Sequence, residues 1–589
     1  MTQFISSQVL FINLSKRSFH VDDRSDLFTK YLGGTGVGIQ LLLEKCKPNA
    51  DPLGPENVIV FAVGPLTGLF PMASKTVALF KSPLTGNLGE SHAGGRSAVA
   101  IRSAGYGAIV IEGSSETPIY LSIDEKIARF REGATFWGMR STHTIGRIIR
   151  ERESGAGIRT IMRVGRAGEM CVSYANVITE TYRHFGRLGL GAVFGSKKLE
   201  AIVVQGKRIA PVSDRKYYRK IYDELYDKEV NSTLLNKYHD FGTSVNILVL
   251  NEIGGLPTKN LQAARFGESA ENISGEYLAE HYLGRRVACA HCPVACIHLA
   301  VHREPYEDEA FFYKTTWVSY DYELLYALGS MLGIADAQGV LKLINEVEVQ
   351  GLDAMSTGVV LAYATELQEK GLITPEETLG LELKWGDFET YLQAIKHIVL
   401  QKNEFYQALA RGVDYAAEKY SGSDFALAFG KNEMPGYHTG IASYVNFLTG
   451  ARHSHLDSAG YSLDQKILKI SEKSQPTPQM IAESLYEEEV WRQILSSLVV
   501  CFFARGIYDP ETVIKTLKAV DYDFSVEQLI DIGRDILKVK YQFKLRDGFS
   551  PEDLRIPQRI FETKTPIGPF EESKIQESMK AYFKKVGIV

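Results

Sequence analysis

Short apolar runs separated by glycine-rich turns occupy the first 210 residues of the chain. Each run is four to six residues long and is bounded by glycine, proline or polar residues, which is typical of β-strands. The predicted strands are Val9–Leu14, Val58–Val63, Val77–Phe80, Ala108–Glu112, Arg159–Val164 and Ala201–Val204. This part of the sequence therefore predicts a β-rich N-terminal domain over residues 1–210.

The pattern changes to a helical period near Ser213. From there on, apolar residues recur at intervals of three and four with charged residues between them, which predicts amphipathic helices. The predicted helices are Tyr217–Val230, Tyr326–Gln350, Val359–Lys370, Leu392–Leu400, Phe405–Tyr420, Met480–Leu498 and Val526–Lys538. A break at 421–423 divides this part into residues 211–421 and 422–589. The predicted fold class is α+β, a β-rich N-terminal domain followed by two mostly helical domains.

Length, composition and charge agree with a multidomain enzyme. The 589 residues exceed the roughly 250–300 that one core usually holds. The longest apolar run, Val58–Phe70, is broken by Gly64 and Pro65 and is too short to span a membrane. A net charge of −5 without a long basic block gives no reason to propose nucleic acid as a partner. The start, Met1–Phe4, lacks the pattern of a signal peptide, so we expect a cytoplasmic protein without a membrane partner.

Three of the six cysteines fall within eight residues. Cys289, Cys292 and Cys296 form a C-x2-C-x3-C pattern, which allows three thiolates to converge on one metal centre. An iron–sulfur cube needs four ligands, and Cys501 is the best candidate for the fourth because it ends a helical run and is the only other cysteine downstream. The pattern therefore predicts a [4Fe–4S] cluster.

Zinc is the alternative for the same residues. His291 or His298 could complete a tetrahedral zinc site together with the cysteine triplet. Structural zinc usually uses two paired ligand motifs, whereas here a triplet is matched with one distant cysteine. This spacing favours a cluster embedded between domains.

Several sequence blocks in one order resemble the aldehyde:ferredoxin oxidoreductase family. They are Tyr31-Leu-Gly-Gly-Thr-Gly, Gly64-Pro-Leu-Thr-Gly, Lys81-Ser-Pro-Leu-Thr-Gly, Ala104-Gly-Tyr-Gly, Gly189-Leu-Gly-Ala-Val-Phe-Gly, Asp321-Tyr-Glu-Leu-Leu-Tyr, Gly351-Leu-Asp-Ala-Met-Ser-Thr-Gly and Lys384-Trp-Gly. The resemblance implies a tungsten or molybdenum ion that is held by two pterins, without a protein ligand, near the cluster. It also implies oxidation of a small aldehyde, with ferredoxin or a similar iron–sulfur carrier or subunit as the electron acceptor.

The resemblance further places residues at the cofactor. His92 stands where an asparagine often helps to bind a magnesium ion that bridges the two pterin phosphates, so the Mg²⁺ contact is expected through another atom, such as a backbone carbonyl. Glu348 and Ser496 stand at the first positions of two altered pterin-binding motifs. The full set of residues expected at the cofactor is Lys75, His92, Gly94, Gly95, Arg183, Arg187, Gly189, Glu348, His455 and Ser496.

Glu323 and His453 match the catalytic pair that the resemblance implies. A carboxylate in a dry pocket has a raised pKa and can accept a proton, and a histidine can polarise a carbonyl. Each residue also has a purely structural interpretation. Glu323 could be a carboxylate that is favoured at a helix N-terminus, and His453 could be a core or surface histidine, with His455 as a second histidine close by.

The resemblance also limits the assembly and leaves alternatives open. The family's interface iron site aligns with Lys342 and Asn345, which cannot reproduce its ligands, so an oligomer is expected to lack that iron. One alternative function is a tungsten subunit of the benzoyl-coenzyme-A reductase type. Another is a non-catalytic iron–sulfur electron-transfer subunit.

Overall fold

A computed structural model of the chain describes residues 7–180, 182–306, 312–470 and 475–588. Met1–Phe4, on which the prediction about a signal peptide rests, lie outside the described residues.

Two six-stranded sheets form the N-terminal part. In the first sheet the order is β2-β1-β6-β3-β4-β5, with β1 and β6 parallel and the other pairs antiparallel. In the second sheet the order is β11-β10-β9-β12-β7-β8, and only β12 and β7 are parallel. Their strands are β1 (Gln8–Asn13), β2 (Ser18–Asp23), β3 (Ile59–Ala62), β4 (Thr76–Lys81), β5 (Leu88–Ala93), β6 (Ala108–Glu112), β7 (Ile119–Ile123), β8 (Ala128–Glu132), β9 (Ile158–Arg163), β10 (Val177–Ile178), β11 (His184–Phe185) and β12 (Leu199–Gly206).

Both faces of the first sheet are buried at β1, β3, β4 and β6, which explains their continuous apolar runs, whereas the edge strand β2 is mostly exposed. Successive side chains of a strand point to opposite faces. In β1, Leu10 and Ile12 pack into a core shared with the second sheet, whereas Val9 and Phe11 pack with helices on the other side. The sequence of such a strand is therefore apolar throughout rather than alternating.

Helices dominate the rest of the chain. Aspartate or serine caps begin many of them, as in the helices that start after Asp321, Asp353 and Ser525. The helices are α1 (Ser25–Tyr31), α2 (Gly34–Lys45), α3 (Ser97–Ser103), α4 (Thr142–Arg152), α5 (Arg166–Glu169), α6 (Leu190–Ser196), α7 (Arg215–Val230), α8 (Thr233–Phe241), α9 (Asn246–Ile253), α10 (Gly275–His281), α11 (Tyr322–Leu328), α12 (Ala337–Gln350), α13 (Ala354–Glu369), α14 (Phe388–Leu400), α15 (Glu404–Leu409), α16 (Val413–Tyr420), α17 (Ile441–Thr449), α18 (Gly460–Ile467), α19 (Pro478–Ser497), α20 (Pro510–Lys518), α21 (Val526–Arg546), α22 (Arg559–Glu562) and α23 (Glu572–Val586).

The two parts pack against each other through α2. This helix lies on the first sheet and also contacts α19 and α21. Gly36 of α2 can approach α19 because it has no side chain, and its N–H donates to Ser497 Oγ at 3.2 Å. The first sheet and the C-terminal helices therefore share one core.

The predicted fold class is confirmed, but several predicted elements differ. The helix predicted over Tyr326–Gln350 is broken between α11 and α12, where Gly329 and Gly333 interrupt it and Asp336 caps a new start. The glycines of 33–36 begin a helix rather than a loop.

A small sheet inside the helical part was not predicted. It consists of β13 (Leu283–Val287), β14 (Ile297–Pro305) and β15 (Tyr313–Tyr320) in that order, and a short hairpin, β16 (Ala428–Phe429) and β17 (Asn432–Glu433), lies further on. The cysteine triplet lies in the loop between β13 and β14. Within the described ranges, no single helix is long and apolar enough to cross a bilayer, although the bent pair Tyr322–Leu332 and Ala337–Gln350 meets that test when its parts are combined.

Candidate active site

One large cavity brings together most of the predicted site residues. It has a volume of about 560 Å³, which is ordinary for a ligand site. Loops of the N-terminal sheets form one wall, and α8, α9, α11 and the segments around Arg452 and Cys501 form the others. The predicted residues that line it are Lys75, His92, Gly94, Arg183, Arg187, Cys289, Cys292, Cys296, Glu323, Glu348, His455 and Cys501.

Backbone hydrogen bonds bring the cysteine triplet and Cys501 to the same place. The Cys501 N–H donates to the carbonyl of Met72 at 2.9 Å, and the Met72 N–H donates to the carbonyl of His291 at 2.9 Å. The Ala290 N–H donates to the carbonyl of Gly95 at 2.8 Å. Met72 and His291 both have φ near +55°, a costly conformation for these residues. Three distant segments are therefore held in one arrangement.

Cys292 and Cys296 lie within electrostatic range of the other cysteine thiols. Burial, followed by the proximity of Cys289 and Cys501, raises the pKa of the Cys292 thiol well above its usual range. Burial also raises the pKa of Cys296 to about 11, although Arg183 opposes the shift. Thiols that resist deprotonation in this way release their protons when a cationic centre binds them.

The ligand set fits a cluster better than zinc. In the described residues, no three His, Cys, Asp or Glu side chains are arranged to hold a single metal ion. His298 is buried away from the cavity, with Nε2 2.9 Å from the carbonyl of His239, and His291 is exposed. Four cysteines that line one space, without a histidine among them, are the usual ligands of an iron–sulfur cube.

Arg183, Lys75 and Gly94 lie between the cysteines and the rest of the cavity. Arg183 Nη2 lies 3.5 Å from Cys296 Sγ. A Cβ at Gly94 would lie 2.8 Å from Cys289 Sγ and 3.7 Å from Lys75 Nζ, so only glycine allows this approach. Two cations next to the thiols would balance the negative charge of a bound cluster.

Several buried polar atoms that line the cavity have no partner. Arg187 is anchored by Nε to Asp353 Oδ2 at 3.1 Å and by Nη2 to the carbonyl of Glu433 at 2.7 Å, but its Nη1 is free. Among the described residues, Arg183 Nε and Glu348 Oε2 also lack hydrogen bonds, whereas Glu348 Oε1 lies 3.2 Å from His184 Nε2. Unpaired buried polar groups are costly, so this set fits a large polar ligand such as a pterin with its phosphate.

Glu90 and His92 form part of a buried charged group beside this wall. Glu90 accepts from Lys540 Nζ at 2.6 Å and lies 2.7 Å from His92 Nε2. Burial opposes ionisation of Glu90, but Lys540, His92 and Arg452 hold its pKa well below the usual range. Burial lowers the pKa of His92 to about 4, so its ring is neutral. The His92 side chain is thus committed to Glu90, and a magnesium contact through another atom, such as a backbone carbonyl, stays a prediction.

Glu323 and His455 face each other in the cavity. Glu323 Oε1 lies 3.3 Å from His455 Nε2, and the Gly436 N–H donates to Glu323 Oε2 at 3.2 Å. Burial raises the pKa of Glu323 to about 8 and lowers that of His455 well below its usual range. Because both shifts favour the neutral forms, the two groups form a neutral pair at pH 7 rather than a salt bridge.

His453 does not fit the role that the sequence predicted for it. It is only 2% exposed and does not line the cavity. Its Nδ1 donates to the carbonyl of Phe447 at 3.0 Å, which leaves Nε2 to accept from Lys544 Nζ at 2.9 Å. Both ring nitrogens are therefore occupied in the core, and of these two neighbouring histidines it is His455 that lines the cavity.

Three further predicted cofactor residues lie behind the cavity wall. The carbonyl of Gly95 accepts from Ala290, and Gly189 begins α6 with φ +85°, where a Cβ would lie 2.1 Å from the carbonyl of Ser173. Ser496 is buried, and its carbonyl packs against Gly34. These residues shape the loops and helices that carry the site, but they do not line it.

Sequence reasoning missed other cavity residues. Tyr437, Tyr461, Lys237 and Arg505 all line it, and they come from distant parts of the chain with no shared motif. Asp353, which orients Arg187, could have been noticed because it directly precedes a helical run and caps α13.

Comparison with protein families covers nearly the whole chain. The model of the aldehyde ferredoxin oxidoreductase N-terminal domain matches residues 9–206, and the model of domains 2 and 3 of that enzyme matches residues 216–589. The chain therefore belongs to the aldehyde ferredoxin oxidoreductase family and is an oxidoreductase. The resemblance noted in the sequence is confirmed.

Individual relatives agree with this assignment. The chain is 33% identical to a tungsten-containing aldehyde ferredoxin oxidoreductase of Thermococcus kodakarensis, over 98% of this chain and 95% of the relative. It is 32% identical to the protein of the same description in Pyrococcus furiosus, with the same coverage. An aliphatic sulfonate oxidoreductase, WOR-like subunit, of Pyrococcus furiosus is 26% identical over 99% of this chain and 94% of its own length.

A solved structure shares the fold. It is the active-site complex BamBC of benzoyl coenzyme A reductase with 1,5-dienoyl-CoA, which matches with a TM-score of 0.84 over 99% of this chain and 94% of that one. Its sequence identity is 21%, so the likeness concerns the fold alone.

Proposed function

We propose that the protein is a tungsten–pterin enzyme that oxidises an aldehyde to a carboxylic acid and passes the electrons through a [4Fe–4S] cluster to ferredoxin or a similar carrier. The observation that carries this proposal is the Glu323–His455 pair, which faces the same cavity as the four cysteines. The tungsten-containing relatives support the choice of metal and of an aldehyde substrate.

The chain's own residues account for the proton chemistry. Aldehyde and water give carboxylic acid, two protons and two electrons. Glu323 in its ionised form accepts a proton from the water or the hydrated aldehyde, and burial keeps its pKa near the working pH. Neutral His455, 3.3 Å away, donates a hydrogen bond to the carbonyl oxygen as negative charge develops there. When bound, the tungsten–pterin cofactor and the cluster supply the two-electron acceptor and the route for single electrons.

The cofactors fit the residues around this pair. Cys289, Cys292, Cys296 and Cys501 would hold the cluster. The free donors of Arg183 and Arg187 suit pterin phosphate and carbonyl oxygens, and the carboxylate of Glu348 suits pterin N–H groups. No protein ligand to tungsten is needed in this arrangement.

Elemental analysis and an aldehyde screen test the proposal together. Protein purified without oxygen is assayed for tungsten, molybdenum, iron and zinc, and aldehyde-dependent reduction of a viologen dye is measured on the same sample. We expect tungsten, about four iron atoms per chain and dye reduction with at least one aldehyde. Zinc in place of iron, or no dye reduction by any aldehyde at full tungsten loading, would contradict it. Reduction of an aromatic thioester by the same sample would favour the benzoyl-coenzyme-A reductase reading.

A further inference from the structure

One part of the cavity, which we call the outer arm, reaches solvent. Three helices present one face each to this arm, at the three- and four-residue spacing of neighbours on a helix. Their cavity-lining residues are Leu234, Lys237 and Tyr238 of α8, Asn246, Val249 and Leu250 of α9, and Tyr461, Ser462 and Gln465 of α18. Leu234 is 46% exposed and Val249 is 38% exposed, which marks this end as the opening.

Aromatic side chains follow the arm from the pair outward. The ring of Tyr437 lies 5.2 Å from His455 and 4.5 Å from Tyr461, nearly parallel to the latter. Further out, Tyr238 stacks on Phe503 at 4.3 Å. Burial raises the pKa of Tyr238, Tyr461 adds to the rise and Arg505 opposes it, so Tyr461 and Arg505 lie within electrostatic range of Tyr238. The arm therefore offers flat apolar surface, suited to a planar unsaturated molecule.

Two cations, Lys237 and Arg505, line the same arm. Arg505 Nη1 donates to the carbonyl of Phe502 at 2.8 Å, and among the described residues no carboxylate lies within ion-pairing distance of either cation. Two of the acidic residues that line the cavity are already paired, Glu90 with Lys540 and Asp353 with Arg187. Positive charge without a partner in a partly enclosed cleft attracts an anion.

From this arrangement we infer that the preferred substrate is an aldehyde with a flat unsaturated body and an anionic group at the end remote from the formyl carbon. The inference rests on the proposed function and names its substrate class. The formyl group would reach Glu323 and His455, the body would lie along Tyr437 and the stacked rings beyond it, and the anion would meet Lys237 and Arg505. Carboxylate, sulfonate and phosphate share the required chemistry.

The test compares two aldehydes of the same shape but different charge. Anaerobically purified holoenzyme is assayed with benzaldehyde and with 4-formylbenzoate, and the sulfonate and phosphate analogues identify the preferred anion. We expect a kcat/KM at least about tenfold higher for an anionic aldehyde, and we expect added salt to reduce this preference. In Lys237→Met, which keeps an apolar stem but loses the charge, the ratio of the two kcat/KM values should fall about tenfold.

Two further variants show whether the preference for the anionic aldehyde arises in the outer arm. Lys220→Met removes a lysine on the exposed face of α7, outside the cavity, and should keep the wild-type ratio. Arg505→Met should lower the ratio as Lys237→Met does, with its iron content measured because Arg505 follows Cys501 closely. Equal kcat/KM values for the charged and neutral aldehydes would overturn the inference. So would a Lys237→Met variant whose only defect is a higher KM for the protein electron acceptor.

A binding measurement separates this inference from the proposed function. Terephthalate and benzoate are titrated calorimetrically into the holoenzyme, a readout that needs no turnover. Terephthalate should bind the wild type at least about tenfold more tightly than benzoate, and Lys237→Met should lose this difference. If this result holds while no aldehyde is oxidised, the proposed reaction is wrong and the anion-binding arm stands. If aldehydes are oxidised but terephthalate binds no better than benzoate, the proposed anion-binding role of the outer arm is wrong and the proposed reaction stands.

Discussion

Replacing Glu323 by Gln removes the proposed base while keeping its shape. The pKa of about 8 means that about one tenth of Glu323 is ionised at pH 7 and about nine tenths at pH 9. Since burial raises this pKa, the basic form is scarce below pH 8 and accumulates above it. We therefore expect wild-type turnover to rise about tenfold from pH 7 to pH 9. Glu323→Gln should lower turnover about 10²–10⁴-fold and abolish this rise.

The assay measures tungsten content and aldehyde-dependent dye reduction side by side over that pH range. Glu511→Gln is a matched control, because Glu511 also lies in the first turn of a helix but is exposed and far from the cavity. Full activity of Glu323→Gln at full tungsten loading would refute the catalytic role. Loss of tungsten would instead show that Glu323 is needed to assemble the site.

Four further predictions follow from the site and the core. His455→Ala should slow turnover by about 10²–10³-fold with tungsten retained. His453→Ala should mainly lower the midpoint of thermal unfolding because Lys544 loses one of its buried hydrogen-bond partners, and a loss of turnover at an unchanged midpoint would restore His453 as the catalytic histidine. Cys501→Ser should lower iron below four per chain and weaken the paramagnetic signal of the reduced cluster, and unchanged iron would remove Cys501 from the ligand set. Glu200 is buried with neither oxygen hydrogen-bonded, and burial raises its pKa to about 9. The folded state therefore binds the carboxyl proton of Glu200 more tightly than the unfolded state. As a result, the free energy of unfolding falls as pH rises from about 4.5 to 9. Glu200→Gln should stabilise the protein by up to about 3 kcal/mol at pH 7 and by little below pH 4.5, and equal unfolding midpoints of the two proteins at pH 8 would contradict the shift.

Local sequence determined much of the fold and part of the site. Continuous apolar runs such as Val58–Val63 predicted strands correctly, because a strand buried on both faces has no polar positions. The cysteine triplet was recognisable because its three ligands lie in one loop. Glu323 was recognisable through the block Asp321-Tyr-Glu-Leu-Leu-Tyr that resembles the family, and Asp321 caps the helix that presents it. In each case the physical cause lies within a few neighbouring residues.

The choice between His453 and His455 could not be made in that way. The two residues are two positions apart in a turn after α17, where Asp457 accepts hydrogen bonds from the N–H groups of Arg452 and Ser454. His453 adopts φ +53° and points to Lys544, which is 91 residues further on. His455 points to Glu323. Which histidine enters the cavity thus depends on partners far away in the sequence.

The same limit applies to the outer arm. The sequence by itself predicted neither α8 nor α9, and it did not show that Lys237 of α8 and Arg505 after Cys501 line one opening with Tyr461 of α18. Only the tertiary structure decided this, because the relative placement of helices depends on how their buried faces pack together. A sequence pattern specifies the face that each element buries, and the side chains that meet across a cavity follow from the packing of all of them.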